Sequence, residues 1–103
     1  MTDLPEELEK YVESLGRSPR RIRNKLKKKG VVGLVDDSKM CPLAQALIRE
    51  FPRAWHLDVL VTFVRFMDAD YKTWHTVHLP RATTEFIKKF DAREYPELIA
   101  CKE

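Results

Sequence analysis

No stretch of this sequence stays apolar for long. The longest uncharged apolar run, residues 59–64, is far below the roughly 18 to 20 residues that a membrane-spanning helix needs. The acidic opening MTDLPEELEK also lacks the basic n-region and apolar h-region of a secretory leader. These absences lead to the expectation of a cytoplasmic protein without a membrane partner. Cysteine is scarce as well: only Cys41 and Cys101 occur, far apart and without a CxxC spacing. A reducing compartment with two free thiols is the simpler reading, while a bond between them stays open on sequence grounds.

The spacings that carry metal and phosphate chemistry are missing too. There is no CxxC or HxxxH, and His75 and His78, if they lie on a strand, point to opposite faces because their separation is odd. The step GVVG has neither the length nor the Lys-Ser/Thr ending of a phosphate-binding loop. Asp36 with Asp37, and Asp68 with Asp70, read as turn residues before they read as acid/base pairs or magnesium ligands. No metal and no other cofactor is expected.

One further absence is local. Residues 17–29 contain eight Lys or Arg and no acid, whereas residues 1–16 hold five acids and one base. The formal charges are −4 for 1–16, +8 for 17–29 and −1 for the remainder, so the net +3 conceals one concentrated feature. A chain of 103 residues with 44% apolar and 34% charged content is expected to fold as one domain, 1–103, around one core.

The elements follow from periodicity and caps. Leu4, Leu8, Tyr11, Val12 and Leu15 make one helical stripe, with Pro5 in the first turn, Glu6 and Glu7 at the positive end and Gly16 as the stop. Ser18 and Pro19 read as N-cap and first residue of a second helix that Gly30 closes, near 19–29. Ile22 and Leu26 form its narrow apolar seam, and bases cover most of the rest. The segment VVGLV, 31–35, is a candidate short strand. Cys41 and Pro42 open a third, apolar helix through Phe51. LDVLVTFVRFM, 57–67, reads as a strand, DADYK as a turn and TWHTVHL, 73–79, as the returning strand of a hairpin. In that first strand Leu57, Val59, Val61 and Phe63 point one way while Leu60, Val64 and Phe66 point the other, which leaves a second apolar face and predicts a homodimer. A helix from Pro80 carrying Ala82, Phe86, Ile87 and Phe90 follows, then a short turn around Tyr95, Pro96, Leu98 and Ile99. The predicted fold is α+β: a β-hairpin, or a three-stranded antiparallel sheet, packed against helices 42–51 and 81–90, with an acidic and a basic helix as an N-terminal pair.

The series GVVG, CPLAQAL, LPRATTEFIKKFD and YPELI resembles a group of small proteins from actinobacteria and their phages. The likeness covers roughly residues 22–99, its motifs sit at caps and core positions, and the acidic first helix is outside it. It implies a common fold and a phage or mobile-element context, with no agreed activity and no catalytic residue to carry over.

Function rests on the basic helix. Cations on an exposed helix lie against a phosphate backbone and release its condensed counterions, so binding is strong at low salt and weak at high salt. Arg17, Arg20, Arg21, Arg23, Lys25, Lys27, Lys28 and Lys29 are the expected phosphate contacts, with Asn24 among them as a base-reading candidate. The step GRS is compatible with a helix-turn-helix, and a third helix plus hairpin has the outline of a winged helix. The order fits poorly, because the helix after VVGLV is too apolar to enter a groove. The reading is a non-enzymatic binding module that takes nucleic acid, DNA in the first instance.

Other readings stay open beside it. The helix could be a solvated face, or it could dock on an acidic protein surface, as in an interaction factor modulating a host protein. The −4 segment could then mask the +8 segment until a partner displaces it. Trp55, near Arg53 and His56, and Tyr71 and Trp74, flanking Lys72, are candidates for stacking single-stranded bases. Cys41 is the third class: an N-cap cysteine whose thiolate the helix dipole would stabilise, with His56, His75 or His78 as a base.

Overall fold

Three of the four α-helices among the described residues begin where a side-chain cap and a proline coincide. Asp3 Oδ1 accepts from the Glu6 N–H at 3.1 Å, Ser18 Oγ from Arg21 at 3.2 Å and Cys41 Sγ from Ala44 at 3.4 Å. Each cap satisfies one of the amide donors that a helix start leaves unpaired. The computed structural model describes residues 3–68 and 73–100. Its elements are α1 (Leu4–Ser14), α2 (Pro19–Lys28), α3 (Pro42–Glu50), β1 (Trp55–Val59), β2 (Phe63–Met67), β3 (Trp74–His78), α4 (Arg81–Asp91) and a 3₁₀ turn at Pro96–Leu98. The fold is α+β, with an antiparallel sheet in the order β1-β2-β3. Asp70, Tyr71, Lys72 and Cys101 lie outside the described residues. Among the described residues no helix is long and apolar enough to cross a membrane.

The expected single strand over 57–67 is in fact a hairpin. The chain turns at 60–62, with the Leu60 N–H donating to Phe63 O at 2.8 Å. Val59 and Val64, expected on opposite faces, thereby become cross-strand partners on one face. Val59, Val64 and Val77 form a row across the three strands, and Phe66 with His75 forms the next. This side is the core face, where Leu57, Val64 and Phe66 are buried against the helices. The other side carries the rows Asp58, Arg65, Thr76 and Trp55, Met67, Trp74, together with Phe63 and His78. It is therefore a mixed polar and aromatic surface, and not the apolar second face from which a homodimer was inferred.

Between Trp55 and Asp58 the β1 ladder slips by one residue, and His56 within that bulge has φ 52°. On the outer face Asp58 is only 8% exposed because three donors converge on it. Lys39 Nζ lies at 2.9 Å, Ser38 Oγ at 3.1 Å and Arg65 Nη2 at 3.5 Å. Burial alone would raise the Asp58 pKa, but the Lys39 and Ser38 hydrogen bonds outweigh it and hold the carboxyl below its ordinary value.

VVGLV does not become a strand. Only Gly33 bridges Ile99, in parallel, through Gly33 N–H to Leu98 O at 2.9 Å and Ala100 N–H to Gly33 O at 2.8 Å. The reason is crowding on its other side. Gly33 is pressed so closely on the backbone of Met40, Cys41 and Pro42 that a Cβ there would overlap all three. Neighbouring Leu34 donates to Met40 O at 2.8 Å, leaving no room for a regular ladder.

Two tests follow from this packing. Gly33→Ala must push backbone apart and is expected to lower stability by about 1–3 kcal/mol in urea titration, whereas a loss within error would show that the crossing relaxes freely. Asp58 has a depressed folded pKa, so its contribution is complete above the unfolded value near about 4 and fades as pH falls through the folded one. Unfolding free energy measured from pH 6 down to 3 should therefore drop less steeply in Asp58→Asn than in the wild type.

Candidate nucleic-acid interface

α2, which carries six of the eight cations, with Arg17 ahead of it and Lys29 at its C-cap, is held by very little apolar surface. Ile22 and Leu26 are its fully buried side chains, and its neighbours are α4, α3 and the 3₁₀ turn. Gly30, at φ 71°, ends it: the Gly30 N–H donates to Lys27 O and the Val31 N–H to Leu26 O, each at 3.0 Å. This pair of bonds is a Schellman ending, and it brings buried Val31 onto buried Leu26. Gly suits that position because the left-handed region carries no Cβ penalty there.

One cation fastens the helix. Arg23 Nη1 meets Glu97 Oε2 at 2.6 Å, and its guanidinium lies 5.9 Å from the ring centre of Tyr95, which in turn stacks on Phe86 at 5.5 Å. Lys25 Nζ donates to Ser14 O at 3.2 Å, where the end of α1 offers unpaired carbonyls. Lys29 sits 5.9 Å from the Tyr11 ring centre. Three of the expected phosphate contacts are thus engaged within the chain.

The remaining ones share an open face. At 100° per residue, Lys27, Arg20, Asn24, Lys28 and Arg21 fall within an arc of about 120°, and all are exposed, as is Arg17 just ahead of the helix. Among the described residues Arg17, Arg20, Arg21 and Lys28 have no carboxylate partner. Arg21, Asn24, Lys25 and Lys28 also line a shallow groove of about 380 Å³ against Ser14, Leu15 and Gly16. The result is a cationic stripe with a carbonyl-edged groove along one flank. Lys27 is close enough to Glu97 to help hold that carboxyl ionised.

The acidic helix is not a detachable cover. Leu4, Leu8 and Val12 of α1, and Leu15 at its C-cap, are 3% exposed or less and belong to the core. Glu6 pairs with Lys10 of its own helix at 3.8 Å, while Glu9 and Glu13 are exposed and meet no base of α2. Removing residues 1–15 would open the core instead of unmasking a surface. Nor is α3 a recognition helix: Pro42, Leu43, Ala44, Ala46 and Leu47 are buried.

Cys41 occupies the N-cap of α3 as expected, yet its thiol is pushed up to about 11. Burial is the main cause; the Ala44 N–H lowers the value, and Asp91 and Asp37 raise it again. Desolvation and like charge outweigh the helix dipole. The Cys41 pocket is lined by Asp36, Asp37 and Asp91 and by no histidine. His75 faces Phe66 in the core row, whereas His78 pairs with Phe63 on the outer face. Among the described residues no group of three His, Cys, Asp or Glu is placed to hold a metal ion.

Comparison with family models, curated proteins and solved structures finds no match to this chain. The functional reading therefore rests on geometry and charge.

The Cys41 environment has a direct check. In a Cys101→Ser variant, Cys41 is expected to react with an aromatic disulfide reagent at pH 7.5 at least a hundredfold more slowly than the same chain in urea. Fast labelling in the folded protein would mean that the thiolate is accessible.

Proposed function

We propose that the protein is a non-enzymatic nucleic-acid-binding module that lays the exposed face of α2 along a phosphate backbone. The observation that carries this reading is the stripe of Arg20, Arg21, Lys27 and Lys28, with Arg17 just ahead of them, open to solvent on a helix whose opposite seam is buried. Cations so arranged displace condensed counterions, which is the main source of sequence-independent affinity. Their fixed spacing on a capped helix reduces the ordering cost of binding. Base reading is a small part of the design, since only Asn24 and neighbouring arginines offer fork geometry for a base edge. The phage or mobile-element context implied by the resemblance is compatible with such a module and belongs to the same proposal.

Fluorescence anisotropy with labelled duplex DNA across a salt series tests it. About five phosphate contacts predict a slope near about −4.5 in log affinity against log salt. Reversing Arg20, Arg21 and Lys28 to Glu should flatten that slope and weaken binding at least a hundredfold. Absence of binding at 20 mM salt would remove the proposal, and equal affinity for polyglutamate would move it to an acidic protein surface.

A further inference from the structure

Asn24 is the one uncharged residue among the exposed positions of α2. It sits inside the helix, where asparagine is a poor choice, because its carboxamide competes for nearby backbone groups and favours caps and turns. Lysine and arginine, which fill the other exposed positions, are better helix formers. Among the described residues the Asn24 side chain has no hydrogen-bond partner. No contact within the fold accounts for it. On the outer face of the sheet, by contrast, Lys39 and Arg65 are taken up by Asp58, and Arg65 also lies 4.9 Å from the Trp74 ring centre.

The position of Asn24 on the helix is specific. At 100° per residue it lies about 180° from the midline between Ile22 and Leu26, the two buried side chains. It is the crown of the helix, farthest from the core. Arg20 and Lys27 lie about 40° and 60° to one side of it, and Lys28 and Arg21 about 40° and 60° to the other. Each pair has one cation on the turn before Asn24 and one on the turn after, and all four are exposed. Glu97 reaches Lys27 only through its field, since its hydrogen bond goes to Arg23 at 2.6 Å. A free carboxamide thus stands between two banks of cations.

That cross-section selects an occupant. A single phosphate chain meets one bank and leaves the other unmatched. An acidic protein surface uses the cations but has no particular need of an amide between them. The major groove of B-DNA has phosphates along both walls and base edges on its floor, and at about 12 Å wide it admits a helix about 10–12 Å across. On that floor an asparagine pairs with adenine in two bonds, its Oδ1 accepting from the N6 amino group and its Nδ2 donating to N7. Double-stranded RNA offers no such floor, because its major groove is deep and too narrow for side chains to read.

We infer that α2 enters the major groove of duplex DNA and that Asn24 reads an adenine there, which rests on the nucleic-acid reading above and adds a base preference to it. Arg20 and Lys27 hold the phosphates of one strand, and Lys28 and Arg21 those of the other.

The experiment removes one acceptor from the DNA and one side chain from the protein. A labelled duplex rich in A·T pairs is compared by fluorescence anisotropy with a copy in which 7-deazaadenine replaces every adenine. That change deletes N7 and leaves base pairing and the minor groove as they were. Both are titrated into wild type, Asn24→Ala and the α2 charge reversal, with an RNA duplex and a single DNA strand of the same sequence beside them. Alanine at this exposed position favours the helix, so loss of the fold does not enter. The wild type is expected to bind the 7-deaza duplex about fivefold or more weakly than the natural one, and the RNA duplex more weakly still. Asn24→Ala should bind the two DNA duplexes alike.

Equal affinity of the wild type for both DNA duplexes would overturn the inference, while weakening by the charge reversal would still uphold the helix as a phosphate handle. A preference for N7 that persists in Asn24→Ala would also overturn it, since another side chain would then read the base. Binding to the single strand or the RNA duplex as tight as to the DNA duplex would overturn groove entry. No binding to any of these at about 20 mM salt would remove both readings together.

Discussion

Ile22 and Leu26 decide whether the rest of this structure can work. A helix of ten residues is marginal by itself, and this one stacks Arg21 on Lys25 and Arg23 on Lys27. Each like-charge neighbour on a helix costs roughly 0.2–0.5 kcal/mol. Burying two aliphatic side chains returns roughly 1.5–3 kcal/mol each, several times what those two pairs cost. The Schellman ending and the Arg23 to Glu97 pair add to that margin, and both sit at the edges of the seam. The open face is left unneutralised as a result, which is the electrostatic state a phosphate-binding surface requires.

The helices were legible in the sequence because their determinants are local. Asp3, Ser18 and Cys41 each precede a proline and an apolar stripe, and each accepts the bond expected of a cap. The sheet was less legible. The run from Leu57 to Met67 contains no Gly, Pro or Asn, so nothing in composition marks a turn at 60–62. Uniform β-branched and aromatic content fits one long strand as well as two short ones, and only the pairing of Val59 with Val64 and Val77 selects the hairpin. The Gly33 crossing was invisible for a similar reason. Its partners Leu98, Ile99 and Ala100 are distant in sequence, and the overlap with Met40, Cys41 and Pro42 is tertiary.

The candidate site was legible as composition and illegible as division of labour. Eight cations could be counted, but which of them face inward depends on where Tyr95 and Glu97 return to the helix. Arg23 looks like its neighbours in sequence and behaves as a structural tie in the fold. Cys41 shows the opposite case. Its local signal, an N-cap at a helix start, favours a reactive thiolate, and burial together with carboxylates gathered around it from two places in the chain reverses that expectation.

The return of the 95–100 segment also sets an order of events. Arg23 to Glu97 closes a span of 74 positions, and Gly33 meets Ile99 across a span almost as long. Contacts that close long loops form against a large entropy and tend to come late. During synthesis, α2 leaves the ribosome well before the segment that ties it down. The tie thus places the 95–100 segment late in folding: until it returns, the helix is held by the seam of Ile22 and Leu26 alone.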